Sequence, residues 1–251
     1  MARIRHLAIC TNQQEELAAF YRSTFGLTEV FRHPSAESGK IGIYLSDGEI
    51  NLAFIPANSK PEGLNHFGFE VDNVEAAAST ALANGAKQGA KAVPRDGRQN
   101  EAFIADPIGQ RVDLSSAGWH LGGVGKGRIQ HLAIKTGDPA KLAQFYTTTF
   151  GMHEVFRRNW ERGAVYLSDG HVNLALLPNN NGEPEPKDRM GIDHLGFRID
   201  DLSATMDAAY ANGAKPSDRE LPRDGRFAET FVFDPVGQRI DLSQVGWKVQ
   251  A

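Results

Sequence analysis

The chain has 251 residues, of which 41% are hydrophobic, and a formal net charge of −4 with Lys and Arg spread along its length. Scattered basic residues do not build the concentrated positive face that nucleic-acid binding requires, so we expect no nucleic-acid partner. A single cysteine, Cys10, excludes an internal disulfide framework. The apolar stretch at 7–10 is too short for a signal peptide or a membrane span, so we expect a cytoplasmic protein without a membrane partner.

The sequence repeats itself after about half its length. The recurring pairs of segments include RIRHLAI and RIQHLAI (3–9 and 128–134), YLSDG (44–48 and 166–170), NHFGF and DHLGF (65–69 and 193–197), and DPxGQR (106–111 and 234–239). Each half also closes on Gly-Trp, at Trp119 and Trp247. An internal repeat of this length predicts two homologous domains, 1–119 and 128–251, joined by a Gly-rich linker at 120–127.

The first helix of each half carries a recognisable start signal. Residues 12–25 are predicted to be helical, with Asn12 and Glu15 forming a capping box. The counterpart in the second half begins at Asp138, an N-cap that is followed by Pro139 at the first helical position.

The second helix of each half is predicted at 72–84 and 201–212. Each segment stops before a glycine, Gly85 or Gly213, which suits the left-handed position after a helix. Between the helices the apolar residues alternate as they do in strands, for example at 50–54. The sequence therefore predicts four units of strand, helix and three short strands, with two units in each half.

Polar side chains recur on one face of four predicted strands in each half. Side chains alternate between the two faces of a strand, so His6 shares a face with Ala8, and His66 shares a face with Gly68. Small neighbours leave a hollow in which the polar groups converge. These groups are His6, Asn51, His66 and Asp113 in the first half, and His131, Asn173, His194 and Asp241 in the second.

Two imidazoles and one carboxylate form a facial triad, which binds Fe(II), Mn(II) and similar ions and leaves positions open for substrate. We predict one triad in each half, namely His6, His66 and Asp113, and His131, His194 and Asp241. Asn51 and Asn173 either supply a fourth ligand through their carbonyl oxygens or form hydrogen bonds nearby. A single strand histidine is usually structural, but recurrence of both histidines with a carboxylate favours a divalent ion. We expect Fe(II), Mn(II), Ni(II), Co(II) or Zn(II).

Two motifs are typical of a known superfamily. The helical FYxxxFG at 20–26 and 145–151, and DPxG followed by a carboxylate at 106–113 and 234–241, resemble the glyoxalase, bleomycin-resistance and extradiol-dioxygenase superfamily. The resemblance implies an α+β fold with four βαβββ units arranged as two glyoxalase-like domains with cupped mixed sheets. It also implies that the metal ligands come from the eight polar residues named above. The superfamily usually has Glu at the last ligand position, where both halves of this chain have Asp.

Four arginines are candidates for substrate binding. Arg98 and Arg226 lie in a repeated PRDGR motif, which is either a turn with ion pairs or a basic gate for an anionic group. Arg111 and Arg239 share a strand face with the predicted carboxylate ligands. A small molecule is the expected partner, and pairing of two copies into a homodimer is left open.

Three functions are compatible with this hollow. The resemblance favours a metal-dependent isomerase, epimerase or lyase that acts on a small carbonyl or vicinal-diol compound through a metal-stabilised enolate. Asp113, Asp241 or Glu229 is its candidate base. An Fe(II) extradiol dioxygenase is disfavoured, because Phe103 and Phe231 replace the tyrosine that this group carries three residues before Asp-Pro. A non-catalytic binding or resistance protein is disfavoured by retention of the ligands in both halves.

Overall fold

Each half of the protein has the same order of strands and helices. The computed structural model describes residues 2–34, 41–89, 100–159, 163–179, 190–217 and 228–250. In the first half, the described elements are β1 (Arg3–Thr11), α1 (Gln14–Phe25), β2 (Thr28–Pro34), β3 (Ile41–Ser46), β4 (Asn51–Pro56), β5 (Gly63–Glu70), α2 (Val74–Ala83), β6 (Lys87–Gln88), β7 (Ala102–Ala105) and β8 (Arg111–Ser115). In the second half, they are β9 (Gly127–Thr136), α3 (Pro139–Phe150), β10 (His153–Arg157), β11 (Val165–Ser168), β12 (Asn173–Pro178), β13 (Gly191–Ile199), α4 (Leu202–Ala211), β14 (Lys215–Pro216), β15 (Thr230–Phe233) and β16 (Arg239–Ser243).

Each half forms its own mixed sheet of eight described strands. The strand orders are β2-β3-β4-β1-β5-β8-β7-β6 and β10-β11-β12-β9-β13-β16-β15-β14. In the first sheet, β1 runs parallel to β4 and antiparallel to β5, and β5 runs parallel to β8. Each sheet thus joins two βαβββ units side by side, which confirms the predicted α+β fold of four units.

The strand register aligns the polar residues at the centre of the sheet. His6 in β1 pairs with Asn51 in β4 and with Gly68 in β5, and Gly68 pairs with Asp113 in β8. His66 lies two residues before Gly68 and therefore points to the same face. Paired residues of neighbouring strands share a face of the sheet, so these side chains converge on one side.

The predicted starts of the second-half helices are confirmed. The side chain of Asp138 accepts a hydrogen bond from the Lys141 backbone N–H, and Pro139 is the first residue of α3. Asp201 caps α4 in the same way, accepting a hydrogen bond from the backbone N–H of Ala204.

The capping box predicted for the first helix is wrong. Gln13 stands at the N-cap of α1 and its side chain makes no capping hydrogen bond. The carboxylate of Glu62, close to the start of β5, accepts a hydrogen bond from the Asn12 backbone N–H at 3.2 Å. A residue distant in sequence therefore binds Asn12, which the local pattern did not reveal.

The two halves pack through their helical sides. The rings of Phe25 in α1 and Phe197 in β13 stack with centroids 3.9 Å apart, and the related pair Phe69 and Phe150 stacks at 4.1 Å. The buried apolar side chains of both halves form one continuous core. The halves are therefore held together by the same hydrophobic burial that stabilises each of them.

Buried hydrogen bonds cross this interface in related pairs. The Tyr21 hydroxyl donates to Asp234 Oδ2 at 3.1 Å, and the Tyr146 hydroxyl donates to Asp106 Oδ2 at 2.7 Å. Burial raises the pKa of both carboxyl groups, that of Asp234 to about 6. The two tyrosines therefore satisfy buried polar groups of the other half.

The repeated SDG turn also binds the opposite half. Asp47 Oδ1 accepts hydrogen bonds from the backbone N–H groups of Glu49 and Ile50 within its own turn. Its Oδ2 accepts the N–H of Ile129, at the start of the second half, at 2.7 Å. Asp169 accepts the N–H of Ile4 at the same distance. Each turn thus anchors the first strand of the other half.

The segment that joins the halves contacts the first of them. The carbonyl oxygen of His120 accepts a hydrogen bond from Asn51 Nδ2 at 2.9 Å, and the His120 ring stacks on Phe31. Gly127, predicted to end the linker, is the first residue of β9. The exact domain boundaries stay a prediction. None of the helices in the described ranges has the length and apolarity that a bilayer span requires.

We expect Tyr146→Phe to lower the free energy of unfolding by about 1–3 kcal/mol, because it leaves the buried Asp106 Oδ2 without its hydrogen-bond donor. Urea denaturation measures this change. Tyr210→Phe on the surface of α4 is the control and should change the free energy by less than about 0.5 kcal/mol. Equal effects of both substitutions would show that the hydrogen bond from Tyr146 to Asp106 does not stabilise the protein.

Candidate metal centres

The predicted triads come together in the structure, one in each half. The potential ligand atoms of His6, His66 and Asp113 all lie within 4.8 Å of one another, and the side chains are buried. His66 Nε2 is 3.4 Å from Asp113 Oδ2. Each triad is built from the strands of a single half, so neither depends on a residue of the other.

The second triad has the same geometry. His194 Nε2 lies 3.3 Å from Asp241 Oδ2 and 3.4 Å from His131 Nε2. These three residues are also buried, and their potential ligand atoms fall within the same 4.8 Å limit.

Hydrogen bonds fix which nitrogen of each second-half histidine faces the other ligands. Asn173 Nδ2 donates to the Lys248 carbonyl, so Asn173 Oδ1 is the acceptor for His131 Nδ1 at 3.0 Å. His194 Nδ1 lies 2.7 Å from Asp193 Oδ2, and a carboxylate only accepts hydrogen bonds. In the neutral form, both imidazoles therefore carry their proton on Nδ1 and direct a bare Nε2 toward the centre.

Three hydrogen-bond acceptors consequently meet in a buried space. When both histidines are neutral, the Nε2 atoms of His131 and His194 and the Oδ2 of Asp241 repel one another unless a cation, either a proton on His194 Nε2 or a metal ion, lies among them. Ligands bound about 2.0–2.2 Å from one ion are separated by roughly 3.0–3.5 Å. The separations of 3.3 and 3.4 Å agree with this value, and two imidazoles with one carboxylate suit a divalent transition metal.

The first half repeats the arrangement with one change. His6 Nδ1 lies 2.9 Å from Asn51 Oδ1, whose amide nitrogen is bound to the His120 carbonyl. His66 Nδ1 lies 3.0 Å from Asn65 Oδ1, a neutral amide where the second half has a carboxylate. Asn51 and Asn173 thus orient the histidines through hydrogen bonds. Their role as direct ligands stays a prediction.

Burial keeps three of the four imidazoles neutral. It lowers the pKa of His6 and His131 to about 3, helped in each case by the neighbouring histidine, and it lowers the pKa of His66 well below its ordinary value. Burial also opposes a charge on His194, but Asp241 and Asp193 outweigh it and raise the pKa of this histidine. Neutral imidazoles are the form that binds metal, and the acidic surroundings of His194 favour any bound cation.

An arginine holds the carboxylate of each triad. Arg111 Nε donates to Asp113 Oδ1 at 2.6 Å and Nη2 donates to Oδ2 at 3.1 Å. Its guanidinium lies 4.6 Å from the centre of the Phe103 ring. Arg239 binds Asp241 at the same two distances and covers Phe231. The substrate-binding role predicted for both arginines stays a prediction, and Arg98 and Arg226 lie outside the described residues.

The carboxylate of Glu229 is engaged at a turn. Its Oε1 accepts hydrogen bonds from the backbone N–H groups of Gln244 and Val245 at 2.9 and 3.3 Å and from the Ser243 hydroxyl. Glu101 binds the equivalent turn of the first half. These contacts give Glu229 a structural role, and its candidacy as a base, like that of Asp113 and Asp241, stays a prediction.

Two tryptophans complete the centres, although the sequence interpretation gave them no role. Trp119 stacks on the His6 imidazole with centroids 5.2 Å apart and planes 3° apart, and Trp247 stacks on His131 at 4.8 Å and 7°. Gly68 makes room for the indole, because a Cβ there would lie 2.7 Å from Trp119 Cζ2. The available signal was the recurrence of Gly-Trp at the end of both halves.

We expect Gly68→Ala to displace Trp119 from His6 and to weaken metal binding in the first half roughly 10-fold, the usual effect of disturbing the support of a ligand. Metal titration and tryptophan emission measure the two effects. Gly137→Ala is the control, since a Cβ at Gly137 meets no atom within 4 Å. Unchanged affinity and emission in Gly68→Ala would show that the stacked indole does not support His6.

Comparison with known proteins agrees with this geometry. The family model described as Glyoxalase/Bleomycin resistance protein/Dioxygenase superfamily matches residues 3–114 and 128–242. A "Probable lactoylglutathione lyase" of Vibrio parahaemolyticus is 31% identical over 126 residues, which cover 47% of this chain and 91% of that protein. The 2,3-dioxygenase LapB from Pseudomonas sp. KL28 has a similar fold, with a TM-score of 0.71, 16% identity and coverage of 98% of this chain and 92% of that one. The Mn(II)-bound glyoxalase from Novosphingobium aromaticivorans gives a TM-score of 0.69 at 15% identity, covering 97% and 83% of the two chains. The chain therefore belongs to the glyoxalase, bleomycin resistance protein and dioxygenase superfamily and contains two of its domains in tandem.

Proposed function

We propose that this protein is a divalent-metal-dependent isomerase, epimerase or lyase that binds a small carbonyl or vicinal-diol compound through neighbouring oxygen atoms. The observation that carries the proposal is the meeting of two imidazole nitrogens, both bare when the rings are neutral, with one carboxylate in a buried space at His131, His194 and Asp241. Three protein ligands leave the remaining positions of an ion open to the substrate.

One similarity supports this class of reaction. The relative from Vibrio parahaemolyticus is named a lyase and matches about half of this chain. The Mn(II)-bound glyoxalase from Novosphingobium aromaticivorans, at 15% identity, shares the fold alone. The lyase relative is shorter than this chain and matches only about half of it. The proposal for the two domains together therefore rests on the two triads.

The residues of each centre have different proposed roles. When bound, the ion would act as a Lewis acid on a carbonyl oxygen and make the neighbouring carbon easier to deprotonate. The histidines keep their Nδ1 protons engaged in hydrogen bonds and hold Nε2 in place. The triad carboxylates Asp113 and Asp241 are the proposed proton acceptors. Arg111 and Arg239 orient these carboxylates and place positive charge beside the substrate position.

The dioxygenase alternative uses the same triad but needs further acid–base groups. Phe103 and Phe231 stand at the positions where extradiol dioxygenases carry tyrosine, and they have no ionisable atom. Each ring lies under an arginine. The similarity to LapB, at 16% identity, concerns the fold alone. We therefore prefer the isomerase, epimerase or lyase class.

We expect the wild-type protein to bind two divalent ions per chain, one at each triad. His66→Ala and His194→Ala should each lose one ion, because each removes one imidazole from a different centre. Metal analysis of anaerobically purified protein measures this number. His171→Ala, an exposed histidine outside both triads, should retain both ions. Retention of both ions in the two triad variants would place the metal elsewhere and contradict the proposal.

We expect the Mn(II)-loaded protein to exchange a carbon-bound proton of a suitable α-hydroxy or α-oxo carbonyl compound with solvent in the absence of oxygen. Proton NMR in D2O across a panel of such compounds measures the exchange. The double variant Asp113→Asn and Asp241→Asn should lose it, since the proposed acceptors are gone. Oxygen uptake with a catechol and Fe(II), without any exchange, would favour the dioxygenase instead.

A further inference from the structure

The two centres differ in one contact behind a ligand histidine. From this difference we infer that the centre in the second half is the higher-affinity metal site and that Asp193 is the positioning residue responsible. The inference rests on the proposed metal-dependent function. It predicts which of the two centres binds metal first, which neither the similarity to other proteins nor the repeat itself indicates.

The difference concerns the residue that accepts the Nδ1 proton. In the second half, Asp193 Oδ2 lies 2.7 Å from His194 Nδ1. In the first half, Asn65 Oδ1 lies 3.0 Å from His66 Nδ1. A carboxylate therefore supports one ligand histidine, and a neutral amide supports the other.

The remaining contacts of the two centres match closely. The other histidine is bound by asparagine at 2.9 Å in the first half and 3.0 Å in the second. Arginine binds the triad carboxylate at 2.6 and 3.1 Å in both halves. A tryptophan stacks on the corresponding histidine in each half. The exchange of Asn65 for Asp193 is thus the clear difference in ligand support.

A carboxylate behind a ligand histidine strengthens the bond to the metal. It accepts the Nδ1 proton, increases electron density on Nε2 and adds negative charge near the cation, whereas an amide only fixes the ring. Loss of such a partner typically costs about 10–100-fold in metal affinity. Lys135 Nζ binds Asp193 Oδ1 at 2.7 Å, which holds this carboxylate in position and offsets part of its charge, so the hydrogen bond to His194 Nδ1 is the main source of the effect. Cys10 occupies the equivalent position of the first half and supplies no such cation.

The stacked tryptophans allow each centre to be observed separately. In a Trp160→Phe background, Trp119→Phe leaves Trp247 as the reporter of the second centre, and Trp247→Phe leaves Trp119 as the reporter of the first. The titration uses Co(II), a paramagnetic quencher of tryptophan emission. It is carried out at about pH 8, where imidazoles of ordinary pKa are neutral. We expect the second centre to fill first, with an affinity about 10–100-fold higher.

Exchanging the two residues is the decisive variant. Asn65→Asp together with Asp193→Asn keeps the composition of the chain and should reverse the order of filling. Asn65→Asp alone should tighten the first centre, which keeps the test open if the double variant unfolds. Asn58→Asp, an exposed substitution that adds the same charge, should leave the order unchanged.

The experiment distinguishes failure of this inference from failure of the proposed function. Equal affinity of the two centres in the reporter variants, or an order of filling that Asn65→Asp and the exchange do not alter, would overturn the role of Asp193 and leave the metal-dependent function standing. Absence of Co(II) binding at both centres would overturn the proposed function, and with it this inference.

Discussion

The fixed register of β1 between β4 and β5 is the constraint on which both the fold and the candidate site depend. It places His6 beside Asn51 on one side and Gly68 on the other. A shift by one residue would turn these side chains to the opposite face and expose the apolar residues that pack on the helices. The second sheet repeats the register, with His131 paired to Asn173 and Gly196. Packing of the core and assembly of the ligands are therefore specified by the same strand pairing.

The interface between the halves gives a physical reason for several repeated motifs. In DPxGQR, Asp106 accepts a hydrogen bond from the Tyr146 hydroxyl, and Gln110 Oε1 accepts one from the backbone N–H of Ile192 at 3.0 Å. In SDG, Asp47 binds the N–H of Ile129. These residues recur because each half must bind the other, and they need no part in chemistry. The catalytic interpretation thus rests on the smaller set of residues that face the hollow of each sheet.

The sequence was sufficient to predict the four units, the strand faces and the two triads, because strand alternation and the repeat report on each of them. It did not reveal contacts between residues far apart in the chain. The hydrogen bond from Asn12 to Glu62 replaces the predicted capping box. A contact within one strand was also missed, since Arg111 binds the carboxylate of the predicted ligand Asp113 with two nitrogens. The stacking of Trp119 on His6 depends on a chain segment that returns to the centre after β8.

The central claim is that the bare imidazole nitrogens and the triad carboxylates surround divalent ions. A crystal structure of the Mn(II)-loaded protein, with anomalous data that identify manganese, tests it most directly. We predict one anomalous peak in each half, about 2.0–2.3 Å from both Nε2 atoms and from a carboxylate oxygen of Asp113 or Asp241. Peaks elsewhere, or protein crystallised with Mn(II) in which both triads hold no manganese, would contradict the account.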